Sequence, residues 1–304
     1  MRVKSRKLLP VRFDRHAPTE EIACRADARE SGSVARPARR PCVGTQMQVV
    51  RTRYHCHRRS FCYSLAMSKL SLDRILQTQG FGTRKYCRAL IEDGEVSISG
   101  AVQNDYRSTI ETAGLVLHVF DEEWAYREHV YIALNKPANV ECSRKPSHHP
   151  GVLTLLPEQC TWRDVQPVGR LDHDTTGMLL MSDDGPFIHA QSSPKRHVPK
   201  VYQATTQEPV SDALIALLLA GVQLHDEPAP LAALTCVRRA EHVLEIVLEQ
   251  GKYHQVKRML AAADNHCRAL HRSAIGSLTL ESLGLAPGEW CYLDQEQLAL
   301  LAPA

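Results

Sequence analysis

A short polar loop that runs directly into an apolar segment is the feature that most constrains how this chain can fold. The loop spans residues 169–177, with the sequence GRLDHDTTG, and the apolar residues 178–181 follow at once. A loop tied to a buried strand holds its side chains in a fixed pose. Arg170 stands close to Asp172 in the sequence, and a neighbouring cation favours the ionised carboxylate. The loop is therefore able to hold Asp172 ionised and in a fixed orientation.

Two other interpretations stay open when the loop is considered alone. A single aspartate in a turn is more often a cap or a turn residue than a functional group. Four aspartates in this region suggest a hard-cation site instead, and they are Asp172, Asp174, Asp183 and Asp184. Neither the spacing of an EF-hand nor a glycine loop that cradles phosphate accompanies them. We therefore expect no metal site here.

Charge is distributed unevenly along the chain. The net charge is +3, yet residues 1–66 contain 15 lysines and arginines against 5 acidic residues. The remaining residues contain 22 basic and 29 acidic side chains. An acidic body that binds a polyanion has to concentrate its basic residues locally. No apolar run approaches the roughly 18–20 residues that cross a bilayer, which argues against a membrane protein.

The ten cysteines show no paired spacing, so we expect reduced thiols in a cytoplasmic protein. The most suggestive metal-binding cluster is His55, Cys56 and His57, but no second ligand pair follows at the spacing of a zinc finger. The sequence also lacks a nucleotide-binding motif. We expect neither a metal nor a cofactor.

The composition predicts three parts. Residues 1–66 are rich in Arg, Ser, Pro and His and lack hydrophobic periodicity, which predicts a disordered basic extension before Met67. A polar connection at 121–128 then separates a small domain at 67–120 from a larger domain at 121–304.

Residues 67–120 predict two helices followed by short strands. Thr83 is a good N-cap for the second helix. Three apolar residues of that helix should share one face, and they are Tyr86, Ala89 and Leu90. This segment resembles the S4 RNA-binding module. The resemblance implies that the second helix lays its basic residues on RNA phosphates; these are Arg84, Lys85 and Arg88. Without the resemblance, a solvated charged face is the simpler interpretation.

The pattern after residue 121 alternates between strands and helices. Residues 130–134, 201–205 and 243–248 predict strands, and Ser211 caps a helix that Gly221 ends. Hairpin-scale and helical connections between strands favour an α+β fold, with a mixed, largely antiparallel sheet flanked by helices.

Three motifs in this larger part resemble those of the pseudouridine synthases, in the branch that modifies ribosomal RNA and carries an S4 domain in front. The loop at 169–177 matches the family's catalytic loop, which implies that Asp172 is the catalytic aspartate. Residues 193–202 match the second motif, SPxxxxxKxY. Residues 249–260 match the third motif, in which a strand ends and a helix with a buried apolar stripe begins.

The resemblance also implies roles for single residues. Tyr202 stacks on a uracil and its hydroxyl takes part in proton transfer, while Lys200 lies on the same face of the strand because the side-chain period is two. A basic residue at the start of the third-motif helix pairs with the aspartate. Lys257 occupies that place, with Arg258 as the alternative. Arg170 grips phosphate or fills the space that an extruded nucleotide leaves.

A weaker match lies at Asn135, Lys136 and Pro137. They resemble a family motif in which a glycine stands two positions after the proline. This chain has Asn139 at that place. Asparagine tolerates a left-handed backbone better than other non-glycine residues do. We therefore expect the turn to be preserved.

The activity that the resemblance implies is the isomerisation of one uridine of ribosomal RNA to pseudouridine. The segments at 221–225 and 253–259 are most similar to the small-subunit enzymes, which implies uridine 516 of 16S rRNA as the target. A monomer would then act on a small-subunit assembly intermediate. Two alternatives stay open: a 23S rRNA enzyme of the same branch, and a ribosome-associated RNA-binding protein without catalysis.

Overall fold

The computed structural model describes residues 68–193 and 196–302. The basic extension expected at 1–66 lies outside the described residues, and so do Pro194 and Lys195 of the second motif. Within these described ranges, no helix is both long and apolar enough to cross a membrane.

Two short helices and six short strands form the first part of the described chain. These elements are β1 (Lys69–Ser71), α1 (Leu72–Thr78), α2 (Arg84–Glu92), β2 (Val96–Ile98), β3 (Ala101–Val102), β4 (Thr109–Glu111), β5 (Val116–Val119) and β6 (Glu122–Ala125). Strand β1 pairs with β4, and a second sheet has the order β3-β2-β5-β6. The apolar side chains of α1, α2, β2 and β5 share one hydrophobic core.

Helix α2 begins as expected but buries a different face. The Thr83 side chain accepts a hydrogen bond from the Tyr86 backbone N–H, which confirms the N-cap. The buried residues are Cys87, Leu90 and Ile91, whereas Tyr86 is 50% exposed and Ala89 is also exposed. The expected apolar face was therefore wrong. The i, i+3, i+4 spacing that packs against α1 starts at the small Cys87, and not at the larger Tyr86.

The buried carboxylate of Asp73 binds two of the three basic residues of α2. Arg84 Nε lies 2.8 Å and Arg88 Nε 2.7 Å from Asp73 Oδ2, and the Asp73 side chain is only 1% exposed. Burial opposes ionisation, but hydrogen bonds from Arg84, Ser71 and Arg88 hold the pKa of Asp73 well below its ordinary value. Arg84 and Arg88 therefore stabilise the packing of α2 on α1 as well as presenting charge.

The polar stretch at 121–128 contains a strand and a junction. Strand β6 lies at the edge of its sheet, so its two glutamates stay exposed and no apolar alternation marks it in the sequence. Next to it, the fully buried Gln79 donates to the Arg127 carbonyl and accepts from the Arg127 N–H. Arg163 donates to that same carbonyl and binds Asp183. These bonds join the first part of the chain to the second.

A nine-stranded sheet organises the second part. Its elements are β7 (Tyr131–Lys136), a 3₁₀ helix (Val152–Leu155), α3 (Glu158–Trp162), β8 (Gln166–Pro167), β9 (Thr176–Ser182), α4 (Gly185–Ser192), β10 (Lys200–Thr206), α5 (Asp212–Ala220), β11 (Thr235–Ala240), β12 (Val243–Leu248), α6 (Gln255–Ala262), β13 (Cys267–Ile275), β14 (Leu278–Thr279), α7 (Leu280–Leu283), β15 (Trp290–Tyr292) and α8 (Gln295–Ala299).

The strand order is β11-β12-β10-β13-β9-β7-β15, with β8 and β14 paired to β9 and β13. Strands β9 and β13 run parallel, and the other pairs of this sheet are antiparallel. This confirms the predicted α+β fold with a mixed, largely antiparallel sheet.

The central strands β7 and β9 are buried on both faces. Leu179 and Met181 belong to one hydrophobic core, while Met178 and Leu180 belong to the core on the opposite face. A strand covered on both faces reads as a continuous apolar run, as residues 178–181 do. The loop at 169–177 is therefore anchored by a strand that water does not reach.

Gly177 lets β9 approach its parallel neighbour β13 closely. Its φ is 103°, and a Cβ at this position would lie 2.3 Å from the Arg272 carbonyl oxygen. Arg272 is itself buried and donates from Nε to the Met178 carbonyl at 2.7 Å. Only glycine fits this contact without a shift of the backbone, and the contact places the loop beside β13 and β10.

Candidate active site

The loop that carries Asp172 is shaped by its own backbone and by a second turn. The Asp172 carbonyl accepts from the Thr175 N–H at 3.1 Å, and the His173 carbonyl accepts from the Asn139 N–H at 2.7 Å. Asn139 has a φ of 61°, which confirms the left-handed backbone expected where the family has glycine. Residues far apart in the sequence therefore define one compact turn.

Lys136 donates hydrogen bonds to the backbone of this loop. Its side chain is fully buried, and Nζ donates to three backbone carbonyls, those of Pro137, His173 and Thr175, at 2.8–3.1 Å. Burial lowers the pKa of Lys136, since the charged form loses its water. The carbonyls on both sides of Asp174 thus have one common donor, which restricts the motion of the loop.

Both carboxylate oxygens of Asp172 are engaged by residues of the third motif. Lys257 Nζ lies 3.0 Å from Oδ2, and His254 Nε2 lies 3.0 Å from Oδ1. The Asp172 side chain is 28% exposed, so the carboxylate is held and still open to a ligand. A fixed, accessible carboxylate is able to act as a nucleophile or as a proton acceptor.

Lys257 is shared between two aspartates of the loop. Its Nζ lies 2.8 Å and 2.9 Å from the two carboxylate oxygens of Asp174. Burial opposes both charges, but the hydrogen bond and the attraction between them lower the pKa of Asp174. For Lys257, burial is likewise outweighed by the bonds to Asp174 and Asp172, which raise its pKa. Lys257 thus binds both aspartates of the loop, with two contacts to Asp174 and one to Asp172.

Arg258, the other candidate cation, points to different partners. Its guanidinium lies 3.3 Å from the Tyr253 carbonyl and 3.8 Å from Asp226 Oδ2. Lys257 and Arg258 both lie in the first turn of α6, and their side chains are equally exposed, at 25%. Of the two, Lys257 contacts Asp172 and Arg258 does not.

Tyr202 and Arg170 line the same cleft as Asp172. Tyr202 projects from β10 and is 9% exposed, so one part of its ring reaches the cleft while the rest packs in the core. Arg170 is exposed and makes no hydrogen bond or ion pair with any residue in 68–193 or 196–302. Its guanidinium is available to a ligand.

The other predicted site residues lie elsewhere. Lys200 does not line the cleft; its Nζ donates to the Val198 carbonyl at 2.8 Å. Burial, together with the neighbouring Arg272, lowers the pKa of Lys200 to about 8. Arg84, Lys85 and Arg88 belong to α2 in the first part of the chain.

The four aspartates considered for a cation site separate into two pairs. Asp172 and Asp174 bind Lys257, whereas Asp183 pairs with Arg163 and Asp184 caps α4. Across the two described ranges, no group of three or more histidine, cysteine, aspartate or glutamate side chains is placed to hold a metal ion.

Sequence reasoning did not select His254, Asp174 or Lys136 as site residues. His254 lies three positions before Lys257, and residues three apart at a helix start lie side by side. That spacing was a usable signal. Asp174 had been considered only as a cation ligand and Lys136 only as part of a weak motif match, because their partners lie 83 and 37–39 residues away in the sequence.

The following similar proteins are each named as a pseudouridine or pseudouridylate synthase. Residues 130–262 match the family described as RNA pseudouridylate synthase. The ribosomal small subunit pseudouridine synthase A of Escherichia coli (strain K12) is 42% identical over 174 residues, which cover 56% of this chain and 72% of that protein. An uncharacterized RNA pseudouridine synthase of Bacillus subtilis (strain 168) is 35% identical over 237 residues, which cover 76% and 98%. A crystal structure of a pseudouridylate synthase matches with a TM-score of 0.54 and 31% identity, over 77% of this chain and 100% of that one.

Proposed function

This chain belongs to the RNA pseudouridine synthase family, and on that premise we propose that it isomerises a specific uridine of ribosomal RNA to pseudouridine. The observation that carries the proposal is the setting of Asp172. Its carboxylate is gripped by Lys257 and His254, and it opens on a cleft that Tyr202 also lines.

The reaction needs no second reactant. The C1′–N1 bond breaks, the uracil turns, and a C1′–C5 bond forms while C5 loses a proton and N1 gains one. We assign the central step to Asp172, which attacks C1′ of the sugar or C6 of the base, or takes the 2′ proton so that a glycal forms. Each route requires a carboxylate at the junction of sugar and base.

Tyr202 and Arg170 would bind the target nucleotide and assist the proton transfer. The ring of Tyr202 would stack on the uracil, and its hydroxyl would handle the C5 proton. The target nucleotide has to leave its stack, at a cost of about a few kcal/mol. Arg170, exposed and without a partner in the described chain, would fill the vacated space or bind phosphate.

We extend the proposal to the first part of the chain, which would act as an S4-type RNA-binding module. Lys85 lies on the exposed side of α2 and makes no ion pair with any described residue. Arg84 and Arg88 are 51% and 41% exposed in spite of their bonds to Asp73. All three cations are thus accessible to a phosphate backbone.

Lys85→Gln should reduce the slope of log affinity against log salt by about one, because one phosphate contact releases one counterion. Lys85 is the position to test, since replacing Arg84 or Arg88 would also remove one of the two guanidiniums that bind the buried Asp73. Lys69→Gln, an equal charge change on β1, is the control. Filter binding of an rRNA fragment at several salt concentrations measures both slopes. Equal slopes for wild type and Lys85→Gln would remove α2 from the RNA interface.

The finer part of the proposal is the target, uridine 516 of 16S rRNA, modified by a monomer in a small-subunit assembly intermediate. The assignment to the small subunit is supported by the 42% identity to a relative that is named for the small subunit. Carbodiimide treatment and primer extension of rRNA from cells lacking this gene should reveal the loss of a pseudouridine at that position. Loss of one in 23S rRNA would favour the large-subunit alternative, and an unchanged rRNA pattern would contradict the proposed function.

A further inference from the structure

His254 contacts the carboxylate at the centre of the cleft although no motif role accounts for it. Its Nε2 lies 3.0 Å from Oδ1 of Asp172, the oxygen that Lys257 does not bind. One contact leaves a carboxylate free to rotate about its terminal bond, whose rotamer wells are broad. A second contact on the other oxygen defines the plane of the group.

The pose of the His254 ring is set by its neighbours. Its backbone is left-handed, with φ 47° and ψ 34°, at the position that precedes α6. The ring stacks on Tyr253 with centroids 3.8 Å apart and planes 19° apart. The Arg258 N–H donates to the His254 carbonyl, and the Arg258 guanidinium donates to the Tyr253 carbonyl. The turn is thus braced independently of Asp172.

Lys257 does not supply the same constraint. It binds both oxygens of Asp174 and only one oxygen of Asp172, so its position is set largely by Asp174. We propose that His254 is a positioning residue that orients the Asp172 carboxylate toward the substrate. This inference rests on the proposed function, because orientation matters only if Asp172 takes part in the reaction.

The left-handed backbone at His254 offers a matched set of variants. His254→Asn suits this backbone, since asparagine is among the few residues that adopt it readily, but its amide is too short to replace Nε2. His254→Gly relieves backbone strain and carries no donor. His254→Gln places an amide donor where Nε2 stood. The three variants separate the backbone requirement from the contact with Asp172.

We expect His254→Asn and His254→Gly to lower the single-turnover rate roughly 10- to 100-fold, because a displacement of about 1 Å at the reacting group has an effect of this size. Affinity for the rRNA fragment should stay near that of the wild type. His254→Gln should recover most of the lost rate. Thermal melting of every variant sets the assay temperature below all the transitions.

The measurements are the single-turnover rate with enzyme in excess and the dissociation constant of the same RNA. A wild-type rate in His254→Asn or His254→Gly would overturn the inference, because the contact with Asp172 would then be dispensable. The inference would also be overturned if His254→Gln were as slow as His254→Asn, or if the variants lost affinity for RNA without a change in the single-turnover rate. An active wild-type enzyme and an inactive Asp172→Asn enzyme support the proposed function in the same experiment. An inactive wild-type enzyme would instead count against that function.

Discussion

Asp172→Asn should reduce pseudouridine formation by roughly 10³-fold or more, as expected when the reacting group of an enzyme is removed. The substitution preserves the shape of the side chain and removes the charge and the nucleophilic oxygen. The fold should tolerate it, because Lys257 keeps both contacts with Asp174 and the loop keeps its bonds to Lys136. Affinity for RNA should change little.

The rate is to be measured as pseudouridine formed on a small-subunit rRNA fragment, with binding measured in parallel. Asp174→Asn is the matched control, since it makes the same chemical change two residues away on a side chain that is 54% exposed. We expect a much smaller loss there, through a less firmly held Lys257. If Asp172→Asn retained even a few per cent of the wild-type rate, Asp172 would not be the catalytic group.

Lys257→Met should lower the rate of the chemical step roughly 10²-fold, the usual effect of removing one fixed electrostatic partner from a reacting group. The methionine keeps most of the packing at the start of α6. Arg258→Met should have a smaller effect on that step, because the Arg258 guanidinium does not reach Asp172 and acts only through its contacts with Tyr253 and Asp226. The two side chains are adjacent and equally exposed, which makes them a matched pair.

Single-turnover rates separate this chemical effect from product release. If Arg258→Met is the more damaging change, the functional pairing moves by one residue and Lys257 serves only to hold Asp174. If neither change slows the reaction, the cation beside Asp172 has no part in catalysis.

The local features of this chain were largely predictable from its sequence. The caps at Thr83 and Ser211, the strand at 178–181 and the left-handed turn at Asn139 depend on residues within a few positions of one another. The sequence also predicted that Asp172 lies in a polar turn directly before a buried strand. The face buried by α2 was not, because Cys87 becomes a core residue only through its contact with α1.

The partners of the charged residues were decided by the tertiary structure. Arg84 and Arg88 read as a free basic face, yet Asp73 binds both of them. Asp172 and Lys257 are 85 residues apart, and the resemblance favoured Lys257 for the pairing while leaving Arg258 as the alternative.

The sequence by itself determined several of the elements, the fold class and the loop that carries Asp172, because periodicity, capping and turn preference act over short distances. Only the tertiary structure decided that Lys136 lies beneath that loop and that His254 and Lys257 grip the carboxylate above it. The physical reason is that the strength of an ion pair or a buried hydrogen bond depends on its geometry and on the low dielectric of the packed interior, which must outweigh the cost of desolvation. Both arise only when β9, β13 and α6 are packed together.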